Sequence, residues 1–244
     1  MNMVFTGKRA LVIGGTGGIG GALSLSLANC GAELVIIGGS SKTRLDATIN
    51  SIKKSGGTAS GHLLKLDNVE NAVTSILSLC PQTDILICAF GPFCRKPLAD
   101  ITVQDWQHFV GLNLILPGAL TSAYLGKMAK QHWGRILLFG GTNTANIRGF
   151  TTTTPYSAAK TALGTVAKSV VKNADGVTCN VVCPGLTNTE YMNEEAIQYN
   201  KENAPGGNVL SVKEIADFAI EILKNPALNG GIFPIDYGIE INKV

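Results

Sequence analysis

The sequence lacks the features that mark membrane, metal-binding and nucleic-acid-binding proteins. It has no apolar run approaching the ~20 residues of a membrane-spanning helix, no signal-type apolar region near its start and no block of basic residues. Only three histidines and six cysteines occur, and no two cysteines form a C-x-x-C pair. We therefore expect a cytoplasmic protein with reduced thiols, no metal site, and no nucleic-acid or membrane partner.

Charged residues are scarce as well, at 15% of the chain against 45% hydrophobic residues, and the net charge is only +3. This composition is typical of a globular chain with a large apolar core. The 29 glycines are spread without a repeat, which excludes a collagen-like chain. A length of 244 residues suits one large domain, and no linker divides it. We therefore predict a single domain over residues 1–244.

Short apolar runs alternate with longer helical patterns along the chain. The apolar runs are residues 10–13, 34–37, 62–66, 85–90, 136–139, 177–183 and 232–235. The helical patterns are residues 19–30, 42–54, 69–79, 103–133, 155–173 and 212–224. Continuous apolar strands separated by helices are typical of a parallel sheet covered on both faces. The sequence therefore predicts an α/β fold: one doubly wound, Rossmann-type domain with a seven-stranded parallel sheet and helices on both faces.

One segment, residues 186–209, does not fit this alternation. It is rich in Asn, Glu, Gly and Pro and has only a weak helical pattern. Because it follows a predicted strand, it lies above the carboxyl ends of the strands, where ligands bind in such sheets. We predict a mobile lid over a substrate pocket, with an ordinary surface insertion as the alternative.

A glycine-rich loop joins the first predicted strand to the first predicted helix. The loop reads GGTGGIG from Gly14 to Gly20, and its glycines permit a tight turn and close approach to a pyrophosphate. The N-terminus of the following helix offers free N–H groups to the phosphates. The loop residues expected to contact a dinucleotide are Gly14, Thr16, Gly17, Gly18, Ile19 and Gly20.

The end of the second predicted strand indicates which dinucleotide is bound. NAD-binding proteins of this type carry an acid there, which holds the ribose 2′-hydroxyl. Here Ser40, Ser41 and Lys42 stand instead, with Arg44 beyond them. Two hydroxyls and a nearby cation suit a 2′-phosphate, so the sequence favours NADP over NAD. Alternatively, Lys42 and Arg44 are only solvated residues that open a helix.

A candidate catalytic pair follows in the second half of the chain. Tyr156 and Lys160 are four residues apart at the start of a predicted helix, where Thr154 can cap the helix and Pro155 fits the first turn. Residues at this spacing share one helix face. An ammonium close to a phenol would lower the phenol pKa from its usual ~10 toward neutrality, where general acid–base catalysis is effective.

Together these features resemble the short-chain dehydrogenase/reductase family over essentially the whole chain. The matching residues are Gly14, Gly18 and Gly20 of the glycine motif, Asp67 and its neighbour Asn68 after the third strand, Asn113, Tyr156, Lys160, Pro184, Gly185, Thr187 and Thr189. The resemblance implies that Asp67 contacts adenine and that segment 184–189 lies near nicotinamide.

The resemblance also implies a reaction and roles for three residues. A hydride passes between nicotinamide and a carbonyl or alcohol carbon, while Tyr156 supplies or takes the proton on oxygen. Lys160 lowers the pKa of Tyr156 and holds the ribose hydroxyls. Asn113 anchors a water that relays protons to Lys160. The cofactor carries the hydride chemistry, and the protein positions and polarises the substrate.

The chain departs from the family pattern at two places. Residues 88–91 read CAFG where the family has Asn-Asn-Ala-Gly, so only Gly91 is kept, and we expect it beside the cofactor. The serine that follows the fifth strand and hydrogen-bonds the substrate oxygen is missing. Counted from the strand, its position falls on Gly141, and counted back from Tyr156 it falls near Asn143.

Other polar residues can replace that serine, because any donor within hydrogen-bond reach polarises a carbonyl. Thr142 carries the nearest hydroxyl and is the expected replacement. Asn143, Thr144 or no replacement at all are the alternatives.

The sequence thus predicts an NADP-dependent oxidoreductase acting on a small-molecule carbonyl or alcohol. The expected substrate is a 3-oxoacyl thioester or another ketone. A different carbonyl compound, a sugar or a steroid-like compound is the alternative. Because the serine is missing, a dinucleotide-binding sensor or subunit with weak or no catalysis is the alternative. The helices predicted at 103–133 and 155–173 are rich in small apolar residues, which favours a homodimer or homotetramer.

Overall fold

The computed structural model describes residues 3–239, so both ends of the predicted domain, residues 1–2 and 240–244, lie outside the described residues. The strands are β1 (Arg9–Ile13), β2 (Glu33–Gly38), β3 (Thr58–Leu63), β4 (Ile85–Cys88), β5 (Gly134–Phe139), β6 (Val177–Pro184), β7 (Thr187–Asn188), β8 (Leu210–Ser211) and β9 (Ile232–Ile235). The helices are α1 (Gly18–Asn29), α2 (Lys42–Lys54), α3 (Val69–Leu79), α4 (Val103–Val110), α5 (Leu116–Lys130), α6 (Thr154–Asn173), α7 (Glu194–Asn203) and α8 (Val212–Lys224).

Seven strands form one parallel sheet in the order β3-β2-β1-β4-β5-β6-β9, which confirms the predicted doubly wound fold. The chain runs outward from β1 to β3, returns to β4 beside β1, and continues to the other edge. Ile13 and Cys88 are paired at the ends of β1 and β4. The carboxyl ends of these two strands therefore flank the crevice in which doubly wound sheets bind ligands.

Apolar helix faces cover both sides of the sheet, as predicted. On one side, Ile76 of α3, Leu120 of α5 and Leu163 of α6 pack against the strands. On the other side, Leu27 of α1 and Ile215 of α8 do the same. Fully burying one such side chain contributes about 1.5–3 kcal/mol, so the two layers hold the sheet in place from both faces. All six cysteines are free and five are buried, as expected for reduced thiols.

Six of the seven predicted strands have different bounds in the structure, and the third and fourth differ in ways that matter for the site. The third strand is Thr58–Leu63 rather than residues 62–66, because it is an edge strand that pairs only with β2 and needs no continuous apolar run. The apolar Leu66 of that run packs in the core beyond the strand end. The fourth strand ends at Cys88 rather than residue 90, and the following residues turn into the cleft. The short sheet of β7 and β8 was not predicted.

The helix predicted over residues 103–133 is broken into α4, a π-helical turn at Gly111–Ile115, and α5. Pro117 lies at the start of α5, and without an N–H it cannot bond to the Asn113 carbonyl as an α-helix requires. Asn113 therefore lies inside an irregular turn of a kind often found at functional sites. By length and composition alone, the helical run Val103–Lys130 meets the criterion for a membrane span, as core helices of globular proteins also do, and 44% of its most apolar window is buried in the fold.

Candidate active site

The glycine-rich loop turns from β1 into α1 at the carboxyl edge of the sheet. Gly14 has a φ of +82°, in the left-handed region that favours glycine. A Cβ atom on Gly20 would collide with the Gly14 carbonyl oxygen, so glycine lets α1 approach the strand closely. Because α1 begins at Gly18, its first N–H groups have no helical partners and are free to bind an anion.

A carboxylate lies at this helix N-terminus. The Gly18 N–H donates to Glu190 Oε1 at 2.7 Å, and the Tyr191 hydroxyl donates to the Thr16 carbonyl at 3.2 Å. Partial burial raises the pKa of Glu190, but hydrogen bonds led by that of Gly18 outweigh it and hold the pKa below its usual value. The N-terminus of α1 thus accepts an anion in this structure, so the loop fits the pyrophosphate of a dinucleotide.

The residues expected at the 2′-phosphate have separate partners. Ser41 caps α2, its Oγ accepting from the Arg44 N–H at 3.3 Å. The Lys42 ammonium forms an exposed ion pair with Asp46 at 2.6 Å. The Arg44 guanidinium lies 4.1 Å above the ring of Tyr191, the residue bonded to the glycine loop. Of the two cations, Lys42 and Arg44, it is therefore Arg44 that contacts the glycine loop indirectly, through Tyr191.

The residues expected near adenine and its ribose lie at the same edge of the sheet. Ser40, Asp67 and Asn68 are all exposed. The Asp67 carboxylate pairs with Lys65 at 3.0 Å, which holds its pKa below the usual value. The Asn68 side chain caps α3 by accepting from the Asn71 N–H at 2.9 Å. Adenine contact by Asp67 and Asn68 stays a prediction.

Tyr156 and Lys160 lie one turn apart on α6 and line the same cleft. Lys160 is 5% exposed, and its Nζ donates to the Phe139 carbonyl at the end of β5 at 2.8 Å. This Nζ lies 5.8 Å from the centroid of the Tyr156 ring. The expected capping role of Thr154 is wrong, because α6 starts at Thr154 itself and its hydroxyl donates to the Phe150 carbonyl at 3.1 Å.

Burial moves the pKa values of these two groups toward their neutral forms. It lowers the pKa of Lys160 to about 8 and raises the pKa of Tyr156 to about 12. The expectation that Lys160 lowers the Tyr156 pKa is therefore not met in this arrangement. The ammonium is directed to the Phe139 carbonyl, and desolvation of the phenolate dominates. At neutral pH the phenol is protonated, which is the form that donates a proton to a carbonyl oxygen.

The Asn113 side chain lies next to the Lys160 ammonium. Its Nδ2 donates to the Pro92 carbonyl at 3.0 Å and to the Phe109 carbonyl at 2.9 Å. Its Oδ1 is buried and has no hydrogen-bond partner within residues 3–239. A Cβ atom on Gly91 would contact this Oδ1 and lie 3.1 Å from Lys160 Nζ. A buried acceptor beside an ammonium fits an ordered water between them.

The loop after β5 carries the candidates for the missing serine. A Cβ atom on Gly141 would lie 2.5 Å from the Tyr156 hydroxyl, so any side chain there requires Tyr156 to move. Thr144 is buried and hydrogen-bonded to both the N–H and the carbonyl of Gly141, which makes it part of the loop's own structure. Thr142 lines the cleft, but its hydroxyl donates to the Pro184 carbonyl at 3.1 Å.

Asn143 differs from these neighbours because its side chain is uncommitted. It lines the cleft in a left-handed conformation, with φ of +63°. Its Oδ1 is buried, and the described part of the chain supplies that atom with no partner. Among the candidates, Asn143 is therefore the one whose side-chain oxygen has no internal partner; only its Nδ2 is a donor that a substrate oxygen could accept from.

The segment expected near nicotinamide connects the cleft with the glycine loop. Pro184, Gly185 and Thr187 line the cleft, and Thr187 donates to the Gly185 carbonyl at 3.0 Å. Thr189 lies at the other end, where a Cβ atom on Gly18 would be 3.7 Å from its Cγ2. The segment thus runs from the cleft to the glycine loop, and its contact with nicotinamide stays a prediction.

The cleft itself has a volume of about 970 Å³ and lies between the catalytic candidates and α7. Phe93 packs edge-on against Tyr156, with ring centroids 5.0 Å apart. Arg95 and Tyr199 line the wall toward α7. Asn200 anchors α7 by donating to Asn188 Oδ1 at 3.1 Å. The sequence had no pattern that would have identified Arg95 or Tyr199, because their roles depend on this packing.

Comparisons with known proteins identify the family. A family model described as short chain dehydrogenase matches residues 8–200. The chain is 32% identical to a 3-oxoacyl-[acyl-carrier-protein] reductase, FabG, of Aquifex aeolicus (strain VF5), over 96% of this chain and 100% of that protein. It is 31% identical to the 3-oxoacyl-[acyl-carrier-protein] reductase of Synechocystis sp., over 96% and 97%.

Solved structures show the same fold. A dehydrogenase/reductase from Sinorhizobium meliloti 1021 has a TM-score of 0.81 and 27% identity, covering 97% of this chain and 98% of that one. A 3-oxoacyl (acyl-carrier-protein) reductase from Agrobacterium tumefaciens C58 with NADP bound has a TM-score of 0.85 and 24% identity, covering 96% and 95%. The chain therefore belongs to the short-chain dehydrogenase/reductase family of oxidoreductases.

Proposed function

We propose that this oxidoreductase is NADP-dependent and transfers a hydride between nicotinamide and the carbonyl or alcohol carbon of a small molecule. One observation carries the proposal: Tyr156 and Lys160 line one cleft that also reaches Ile19 after the glycine loop, and the Asn113 side chain meets Lys160 next to Gly91. Three elements that are distant in sequence contribute these residues and the adjoining Gly91: α6, the π-helical turn and the loop after β4. Packing alone does not require a lysine that is 5% exposed there.

The residues present fit each part of the cofactor. The N-terminus of α1 would hold the pyrophosphate, Gly91 and segment 184–189 would adjoin the nicotinamide end, and Asp67 and Asn68 would contact the adenine end. Arg44, with Ser40 to Lys42, would hold the 2′-phosphate, which supports NADP over NAD. When bound, the nicotinamide supplies or takes the hydride.

Side chains of the protein transfer the proton and polarise the carbonyl group. In reduction, the Tyr156 hydroxyl gives its proton to the oxygen that becomes the alcohol, and in oxidation the tyrosine takes it back. Lys160 holds the ribose and, in its charged form, supplies the proton that restores the phenol, although in the arrangement seen here it does not lower the pKa of Tyr156. Asn113 keeps the water that returns a proton through Lys160. The Asn143 Nδ2 or the Thr142 hydroxyl donates to the substrate oxygen, and Asn143 is favoured because the Thr142 hydroxyl already donates to the Pro184 carbonyl.

The substrate proposal is a small ketone or its alcohol, with a 3-oxoacyl thioester as one candidate. The curated 3-oxoacyl-[acyl-carrier-protein] reductases that match nearly the whole chain support it. Segment 186–209 acts as the lid over this substrate, because α7 forms one wall of the cleft. A homodimer or homotetramer and a cytoplasmic location stay predictions.

The test is a titration with NADPH and with NADH, followed by a carbonyl screen. We expect tight NADPH binding, weaker NADH binding, and oxidation of NADPH when acetoacetyl thioesters or simple ketones are added. Tight binding without any turnover would favour the sensor or subunit that the missing serine suggests. No binding of either dinucleotide would contradict the proposal itself.

A further inference from the structure

One cation on the cleft wall has no role in the proposed chemistry. Arg95 lines the cleft, and its guanidinium carbon lies 5.9 Å from the Phe93 ring centroid and 5.4 Å from that of Tyr199. The ion pairs found within residues 3–239 do not include Arg95. Its neighbour Lys96, in contrast, is neutralised by Asp105 at 2.7 Å.

The position of Arg95 relative to the catalytic tyrosine is set by one aromatic ring. Phe93 packs edge-on against Tyr156, and the Arg95 guanidinium carbon lies 5.9 Å from the centroid of the same Phe93 ring. The backbone is fixed as well, because the Lys96 N–H donates to the Thr152 carbonyl at 2.7 Å. An anionic group a few bonds away from a carbonyl held at Tyr156 would therefore reach the guanidinium. Arginine is suited to that task, because its planar donors match a carboxylate.

We propose that Arg95 binds a carboxylate on the substrate, so that the preferred substrates are oxo acids or hydroxy acids rather than neutral ketones. This inference rests on the proposed oxidoreductase function. Glu195 also lines the cleft, and its negative charge repels a substrate carboxylate. Its removal is therefore expected to act in the opposite direction to removal of Arg95.

The test compares levulinate with its methyl ester, together with homologues longer by one and two methylene groups, using NADPH. For at least one acid we expect Arg95→Gln to lower kcat/KM roughly tenfold or more, the effect of losing one charge-assisted hydrogen bond, and to leave the ester within about twofold. Glu195→Gln should raise kcat/KM for the acid. Lys201→Gln, which removes a charge from α7 outside the cleft, should change neither.

Equal effects of Arg95→Gln on acid and ester would overturn the proposal while leaving the oxidoreductase function intact. If no compound is turned over, binding decides: acids must stabilise the NADPH-loaded wild type in thermal unfolding more than the esters do. That difference must vanish in Arg95→Gln. Thermal unfolding of each variant alone shows whether it is folded.

A second inference comes from the lid segment and its contact with the glycine loop. Glu190 Oε1 accepts from the Gly18 N–H at 2.7 Å, the position at which a phosphate oxygen would accept. The Tyr191 hydroxyl bonds to the Thr16 carbonyl, and a Cβ atom on Gly17 would collide with that hydroxyl. Tyr191 also holds the Arg44 guanidinium against its ring.

We infer that Glu190 and Tyr191 form an internal latch that occupies the pyrophosphate end of the cofactor site. A phosphate oxygen and the Glu190 carboxylate cannot both accept from the Gly18 N–H, and the Tyr191 hydroxyl lies against Gly17 with its hydrogen bond to the Thr16 carbonyl. Cofactor binding must therefore displace the latch. The inference rests on the proposed cofactor site, and its readout is binding rather than turnover.

Equilibrium titration with NADPH tests the latch in two single variants and their combination. Glu190→Ala and Tyr191→Phe should each tighten NADPH binding by roughly 2- to 10-fold, the effect of losing one competing hydrogen bond. Tyr191→Phe changes no charge, so its effect separates the latch from simple repulsion of phosphate by Glu190. Glu194→Ala, a neighbouring acid outside the contact, should leave the dissociation constant within about twofold.

Unchanged or weaker NADPH binding in both folded variants would overturn the latch while leaving the cofactor proposal standing. Absence of binding in the wild type and in all variants would instead overturn the cofactor site and the latch together. Hydrogen exchange adds a structural readout. With the latch, NADPH should increase exchange in peptides covering residues 189–192 relative to the free protein, and unchanged or slowed exchange there would contradict it.

Discussion

The Lys160 ammonium donates to the Phe139 carbonyl at 2.8 Å and lies 5.8 Å from the centre of the Tyr156 ring. The lysine is therefore fixed by the end of β5 rather than by the phenol. Burial leaves its pKa at about 8, while the pKa of Tyr156 stands at about 12. The pair combines a protonated phenol with a lysine that loses its charge just above neutral pH.

This arrangement predicts a pH dependence for carbonyl reduction. Below its pKa of about 8 Lys160 is charged, and above that value it becomes neutral because burial disfavours the ammonium. The reduction rate at saturating substrate should be level below pH 8 and fall above it. The measurement is kcat from pH 6 to pH 10. In Lys160→Arg the residual rate should lack this fall, because a guanidinium keeps its charge; an unchanged profile would contradict the role of Lys160.

The loop after β5 yields a prediction about the missing serine. Asn143→Ala should lower kcat by roughly 10²–10³, the usual effect of losing one donor to a developing oxyanion. Thr142→Val should lower it far less, because the Thr142 hydroxyl already donates to the Pro184 carbonyl. Steady-state kinetics of the two variants provide the comparison. A larger loss of kcat in Thr142→Val than in Asn143→Ala would show that Thr142, rather than Asn143, donates to the substrate oxygen.

Cofactor selectivity should depend more on Arg44 than on Lys42. Lys42 is already paired with Asp46, whereas Arg44 lies against Tyr191 beside the glycine loop. Arg44→Gln should weaken NADPH binding roughly tenfold or more and leave NADH binding within about twofold, since only NADPH carries the 2′-phosphate. Lys42→Gln serves as the matched control with a smaller effect. Equal losses for both dinucleotides would show that Arg44 does not contact this phosphate.

Much of the fold could be predicted from the sequence because its signals are local. Buried parallel strands read as apolar runs, and the fully buried β5 and β6 lie within two residues of their predicted bounds. The edge strand β3 gave no such signal, because it pairs on one side only and is partly exposed. The break at Asn113 was also missed, although Pro117 marks it, because the apolar pattern of the helix continues on both sides of it.

The site was predicted where motifs carry it and missed where packing creates it. Tyr156 and Lys160 are one helical turn apart, so their common face follows from spacing. The contact between Glu190 and Gly18 spans 172 positions and depends on how the lid folds back. The raised pKa of Tyr156 likewise depends on burial, which no spacing reveals.

Tyr156→Phe, measured for both binding and turnover, tests the proposed chemistry most directly. The variant loses the hydroxyl that exchanges a proton with the substrate, but it keeps the glycine loop, Arg44 and Lys160. We predict unchanged NADPH affinity and a loss of roughly 10²–10⁴-fold in kcat for carbonyl reduction, the usual contribution of a general acid. Turnover by the variant at the wild-type rate would contradict the assignment of Tyr156 and, with it, the proposed reaction.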